Sequence, residues 1–285
     1  MIQTGLKKQS IWGRIIKNGK NFSYHKTFGV SPADQIPDEY LLLSPILDQG
    51  PEPKCTGFSS VAIREAQEGI PFDPHFFYAK EGEVNGKISN SGYDIKTMMK
   101  TGCNGGFVPH GQPISTPQYN QARYFEIQKT SDVFDGIRSA MWKGRDEKMC
   151  ASIGIDWKRS WIYDPIPKDN SLKDYLGYHA FKGAGWTRKK INWNPKTGEF
   201  ISFGDWINPQ TKEVHLVKQG SWGEGVGDKG LFYFSRAMVN KFWDYRYCWS
   251  EKADESQIKT IGLLINLMQQ LVALLVKLKN LAWKS

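Results

Sequence analysis

The sequence predicts an α+β protein whose helices and strands occupy separate halves of the chain. Three observations carry that expectation. Apolar residues recur at helical spacing in the first half, short aromatic and β-branched runs separated by turn residues fill the second, and the composition supports a sizeable core. The 285 residues are 40% hydrophobic and 13% aromatic, enough for one large core or two lobes and far from a disordered composition.

The helices come first. After the loop Asp48-Gln49-Gly50-Pro51-Glu52-Pro53, the run CTGFSSVAIREAQEG places Phe58, Val61, Ala62 and Ala66 at helical spacing and stops at Gly69, so a helix opens near Cys55 or Thr56. A second helix is expected over 74–83, with Pro74 in its first turn, and a third over 93–100, closed by Gly102. From about residue 145 the runs CASIGID, YHAFKGAGW, EFISFGDWI, EVHLVKQG and GLFYFS alternate with turns such as Asn194-Pro195 and Asn208-Pro209, which predicts an antiparallel sheet. Residues 21–48 are expected to run extended over the surface of this core, because Ser31, Ile36 and Ser44 each precede a proline and avoid the helical region. A cleft between a helical and a β lobe is the natural place for a site.

The chain thus divides into a basic extension over 1–20, a two-lobed domain over 21–250 and a C-terminal helix over 256–285. The helical lobe takes about 49–140, and the β lobe about 141–250 together with 21–48. In the C-terminal segment Ile261, Leu264, Met268, Leu271, Leu275, Leu278 and Ala282 follow the 3-4 spacing of a coiled-coil seam, and Leu263, Leu267, Val272, Leu274 and Val276 widen the apolar face. Asn266, Gln269 and Gln270 interrupt the run, so self-association or docking is favoured, then contact with a membrane surface, and a true span last.

Composition excludes several function classes. The first twenty residues hold no continuous apolar stretch and no small-residue cleavage site, which points to a cytoplasmic protein, with peripheral-membrane or virion association as the variants the C-terminal helix suggests. Cys55, Cys103, Cys150 and Cys248 are too scattered for a disulfide framework and form no CxxC pair, and Cys103 in TGCNGG reads as part of a turn. His25, His75, His110 and His215 show no metal-ligand spacing, so neither a metal nor another cofactor is expected. The net charge of +9 bears on association rather than fold, and without an RNP-like, zinc-finger or helix-turn-helix pattern it does not favour nucleic acid as a partner.

The chemistry centres on Cys55. A helix N-terminus supplies partial positive charge and unpaired N–H groups, which stabilise a thiolate. Gln49 lies six residues earlier across a Gly/Pro-rich loop, so its amide can return to the helix start and, with the Cys55 N–H, donate to an oxyanion. Taken alone, Cys55 would be a buried structural thiol and His179 a core histidine. Their order and surroundings argue otherwise.

The segment DQGPEPKCTGFSSVAI resembles the active-site segment of the papain family of cysteine peptidases, where a QG dipeptide precedes the nucleophile by the same spacing and a helix follows. YHAFKGAGW (178–186) resembles the strand bearing that family's base, and LVKQGSWGEGVGDKGLFYF (216–234) resembles its SWG-containing strand pair. The three segments follow in family order, and the resemblance covers roughly three-quarters of the chain.

It implies a papain-like (C1-type) two-lobe fold of a divergent microbial or viral kind, and an endopeptidase acting on protein or peptide substrates. Cys55 would attack the scissile carbonyl, His179 would pair with it as thiolate and imidazolium, and Gln49 would stabilise the oxyanion on the way to an acyl-enzyme. The family's imidazole-orienting Asn, just before SWG, is here Gly220. Gln219 lies one residue earlier and faces the other side of a strand unless the backbone bulges, and Trp222 corresponds to the family's shielding Trp. Thr56 and Glu52 stand where the family has an aromatic and a disulfide Cys, and no inhibitory propeptide is recognisable. Trp157 and Trp161 are candidates for lining a cleft. The rival readings are a catalytically weak or inactive papain fold kept as a binding or structural module, which Gly220 favours, and an NlpC-like amidase, which the SWG segment disfavours.

Overall fold

A computed structural model describes residues 22–23, 31–87, 89–113, 119–127, 132–168 and 174–252. The basic extension over 1–20 and the C-terminal helix over 256–285 lie outside the described residues.

Three helices form the first lobe. Helix α1 (Cys55–Glu68) ends where expected, with Gly69 in the left-handed conformation and its N–H on the Glu65 carbonyl. Asp73 caps α2 (Pro74–Asn85) through the His75 and Phe76 N–H groups, and Asp94 caps α3 (Ile95–Asn104) through Thr97. The helices pack around Val61, Ile63, Phe77, Met98 and Phe107, with the Phe77 and Phe107 rings stacked at 4.5 Å.

The sheet is built on the long strand β5 (Tyr175–Thr187). Its order is β1 (Phe22–Ser23), β3 (Gln121–Glu126), β10 (Trp243–Lys252), β4 (Ala151–Lys158), β5, β8 (His215–Gln219) and β9 (Leu231–Phe234), while β2 (Tyr40–Leu41) also pairs with β5. All pairings are antiparallel except β1 with β3. A separate hairpin joins β6 (Lys189–Asn194) to β7 (Glu199–Trp206). Three elements were not singled out in the sequence reading. Strand β3 falls in the half expected to be helical, and helix α4 (Val133–Lys143) begins in that half as a helix that was not foreseen, because charges inside QARYFE and Gly136 inside the helix blur both periodicities. The short helix α5 (Arg236–Phe242) also went unpredicted, and Arg236 ties it to α4 by bonding Asp132 and Asp135.

Alternation along β5 assigns its residues to two cores. Ala180 joins the helical-lobe cluster, whereas Phe181 joins Ile153, Ile155, Trp157, Phe232 and Phe234 of the β lobe. Trp157 and Trp161 are fully buried in this second core and line no cleft, since their rings pack edge to face at 5.5 Å.

The extended segment runs over the sheet as expected. Leu42 N–H donates to the Ala184 carbonyl, and Gly185, at φ 122°, lets this strap approach where any Cβ would strike the Tyr40 carbonyl. Beneath the strap, buried Lys182 donates through Nζ to Ser44 Oγ (2.9 Å) and Gln219 Oε1 (3.0 Å), while Gln219 Nε2 donates to the carbonyls of Ser44 (2.6 Å) and Pro45 (3.0 Å). A buried ammonium that loses a partner is costly. Replacing Gln219 by Leu is therefore expected to destabilise the chain by about 2–4 kcal/mol, read as a lowered denaturant midpoint at unchanged slope. Adding Lys182→Met should restore much of that loss, because the apolar pair leaves no orphaned charge.

Candidate active site

Helix α1 begins at Cys55, which is fully buried. Its N-cap, Lys54, makes no side-chain cap, whereas α2, α3 and α4 are capped by Asp73, Asp94 and Asp132. The first turn of α1 thus carries the helix dipole without a competing carboxylate. Next to Cys55, Thr56 Oγ1 donates to Glu81 Oε2 at 2.8 Å. Burial pushes the Glu81 carboxyl well above the usual range, which disfavours a negative charge beside Thr56.

The loop before α1 is fastened to the turn after β8. Gln49 N–H donates to the Ser221 carbonyl (2.8 Å), Ser221 Oγ donates to Gln49 Oε1 (2.5 Å), Asp48 pairs with Trp222 in an isolated antiparallel bridge, and Gly223 N–H donates to the Leu47 carbonyl (3.1 Å). Gln49 Nε2 also donates to the Glu52 carbonyl at 2.6 Å, which keeps the amide beside the loop that leads into Cys55. Lys54 closes the same loop by contacting Glu52 and His75 Nδ1.

His179 sits on β5 opposite Ile155 and is fully buried. Its ring stacks on Trp222 with centroids 3.8 Å apart and planes 20° off parallel, and Phe181 meets it edge-on at 4.4 Å. Neither ring nitrogen has a hydrogen-bond partner among the described residues, so the imidazole is not bonded to the Cys55 thiol in this structure. Burial first, and then nearby Lys218, hold its pKa well below the ordinary histidine value, and burial lowers Lys218 itself well below the usual lysine range. Lys218, itself buried, lies with Nζ 5.0 Å from the Phe181 centroid and 4.1 Å from that of Phe234.

Gly220 and Gln219 resolve differently. Gln219 cannot serve His179: its amide is engaged with Ser44, Pro45 and Lys182 on the opposite face of the strand. Strand β8 does not bulge at this point, since β8 and β9 stay in register to Gln219 and Leu231 and Gly220 N–H continues to the Gly230 carbonyl; the irregularity in the β5–β8 pairing falls on β5 between Gly183 and Gly185. A Cβ at Gly220 would lie 3.3 Å from Phe232 Cε2 and 3.5 Å from Phe181 Cε1, on the His179 side. The ring plane of His179 is thus set by aromatic contacts.

The remaining candidates fall away from this cluster. Burial raises the Cys103 thiol to about 12 and the Cys150 thiol above its usual range, as for structural thiols. Cys248 lies on β10, and His110 is exposed. His215, expected at the surface or in local bonding, is buried with Nδ1 against the Glu213 carbonyl at 3.1 Å. No group of three His, Cys, Asp or Glu residues among those described could hold a metal. Likewise, no described helix is long and apolar enough to cross a membrane. Sequence reasoning missed Ser221, Glu81 and Lys218. Ser221 was visible as the first letter of SWG, while nothing local marks the other two.

In comparison with solved structures, this architecture is similar in fold to papain-like two-lobe proteases. Xylellain, a cysteine protease from Xylella fastidiosa, superposes with a TM-score of 0.60 at 16% identity over 87% of this chain and 95% of its own. A procathepsin B from Trypanosoma congolense gives 0.57 at 11% identity over 88% and 87%. Digestive procathepsin L 3 of Tenebrio molitor gives 0.55 at 11% identity over 81% and 74%. At such identities the likeness is one of fold. No protein-family model and no curated protein sequence matches the chain.

The uncapped start of α1 gives a direct test. Lys54→Asp should cap the helix and stabilise it by about 1 kcal/mol relative to Lys54→Ala. The same carboxylate should slow Cys55 alkylation at neutral pH by roughly tenfold, because negative charge at the helix start raises the thiol pKa. Thermal melts and iodoacetamide kinetics read the two effects, and equal alkylation rates would remove the helix terminus from the account.

Proposed function

We propose that this chain is a papain-like cysteine peptidase, with Cys55 as nucleophile, His179 as general base and Gln49 as oxyanion donor. The observation that carries the reading is the run of contacts from Gln49 through Ser221 and Trp222 to His179, beside an uncapped helix whose first residue is Cys55.

In the reaction, the Cys55 thiol gives its proton to His179 as sulfur attacks the substrate carbonyl, and the Gln49 amide and the Cys55 N–H take the developing oxyanion. The tetrahedral adduct collapses to a thioester as His179 returns the proton to the leaving amine. Water then adds by the same base and releases the acid. Burial and Lys218 disfavour imidazolium, which favours proton transfer concerted with attack.

Burial of Cys55 and His179, together with glycine in the orienter position, favours a second reading, in which the fold is retained for binding and turnover is lost.

An epoxide inhibitor separates the two. Labelling and peptide hydrolysis should depend on Cys55 and fall by about two to four orders of magnitude in His179→Ala. Wild type that labels no faster than Cys55→Ala would sink the peptidase reading. The acid limb of kcat/KM should have its midpoint below 6.5, since protonating His179 removes the base and its folded pKa is depressed. Gly220→Asn should place an amide on the His179 side and raise turnover by roughly tenfold or more, at the cost of small shifts of Phe181 and Phe232.

A further inference from the structure

The loop that leads into Cys55 is held by three side chains whose contacts depend on protonation. Lys54 pairs with the Glu52 carboxylate, and its ammonium donates to His75 Nδ1 at 3.1 Å. An ammonium can only donate, so this contact needs a lone pair on Nδ1 and therefore a neutral imidazole. The hydrogen bond from Lys54 holds the Glu52 carboxyl below its ordinary pKa, which keeps it charged while His75 gains a proton. Histidine is the side chain type that changes charge between about pH 8 and pH 5.

Glu52 also restrains the candidate oxyanion donor. Its carbonyl accepts from Gln49 Nε2 at 2.6 Å and from Lys54 N–H at 2.9 Å, so the Gln49 amide is turned onto the loop while the three side chains hold together. Among the described residues, the charged groups that face His75 are Lys54 and Glu52 from the loop and Asp73 from the cap of its own helix. Asp73 Oδ1 is already engaged by the His75 and Phe76 N–H groups, and the face of α1 offers only the Phe58 ring, edge-on at 5.4 Å. Once the imidazole is protonated, Nδ1 no longer accepts and two cations abut, with Glu52 left to balance both. His75 is exposed, so protonation disturbs no core packing. The same residues edge a cavity of about 380 Å³, bounded also by Tyr78, Ser89 and Asn90, which gives Lys54 room to turn away.

We propose that Glu52, Lys54 and His75 form a pH-sensitive latch on the loop before Cys55. It is closed while His75 is neutral, with Gln49 turned onto the Glu52 carbonyl, and it releases both when His75 is protonated. Its bearing on catalysis rests on the reading of Gln49 as oxyanion donor, but the latch itself is measurable without turnover.

Hydrogen–deuterium exchange of the full-length Cys55→Ala chain at about pH 8 and about pH 5.5, corrected for intrinsic exchange, reads the latch directly. Protection of the Lys54 N–H should fall about threefold on acidification, the size expected of exposed charge contacts. His75→Gln keeps an acceptor but cannot charge and should stay protected at both pH values, whereas His75→Arg is always charged and should be less protected at both. In NMR spectra of the same chain, the Gln49 side-chain amide should shift with the midpoint of the His75 ring, and should not shift in His75→Gln. An equal loss of protection in His75→Gln, no loss with His75 in place, or a Gln49 amide indifferent to His75 would overturn the proposal. Failure of the peptidase reading would appear instead in epoxide labelling of Cys55, which neither readout uses.

Discussion

The join between Gln49 and Ser221 is the constraint on which the rest of the site depends. Two backbone segments far apart in sequence exchange a main-chain and a side-chain hydrogen bond there, and both residues are buried. In a low-dielectric setting such bonds are strong, and breaking either would orphan a polar group. The join sets where the loop enters α1, and hence where Cys55 stands against the β lobe. It also fixes Trp222, the next residue, which lies flat on His179. One contact thus ties the loop before α1 to the residue that stacks on His179.

Strand β5 sorts consecutive residues onto two faces. His179 and Phe181 face the aromatic core, while Ala180 and Lys182 face α1 and the strap. His179 therefore sits among Trp157, Phe181 and Trp222, in surroundings that offer neither nitrogen a partner and favour the neutral ring. Lys218 strengthens that preference from the neighbouring strand. Stacking fixes the plane of an imidazole but not its tautomer, whereas a hydrogen bond fixes both.

Much of this was legible in the sequence, for identifiable reasons. Helix α1 announced itself through apolar spacing and a terminal glycine, both local signals, and the five strand runs were bounded by turn residues. The absence of an Asn before SWG could be read directly from Gly220. What replaces it could not, because stacking of Trp222 on His179 arises from two segments whose meeting is decided by tertiary packing. For the same reason Trp157, a candidate wall residue by composition, is a core residue in fact. Strand β3 escaped notice because its charged positions obscure a period of two, and burial of Lys218 defied the expectation that lysines stay in water.

The buried ionisable groups show where the fold gives up stability. Glu65 has its pKa raised from 4.5 to about 7, so between those values the folded chain holds a proton that the unfolded chain releases, and stability falls as pH rises, by about 3 kcal/mol in all. Glu81 acts in the same direction. His179 and His215 act oppositely: their folded pKa values are depressed, so stability is lost as pH drops below 6.5 and the unfolded chain takes up protons. Lys182, lowered to about 8, regains stability only between there and 10.5. A core selected for stability alone would hold none of these groups. Glu65 lies on α1, His179 and Lys182 on β5, His215 on β8 and Glu81 on α2, so the cost is spread over both lobes.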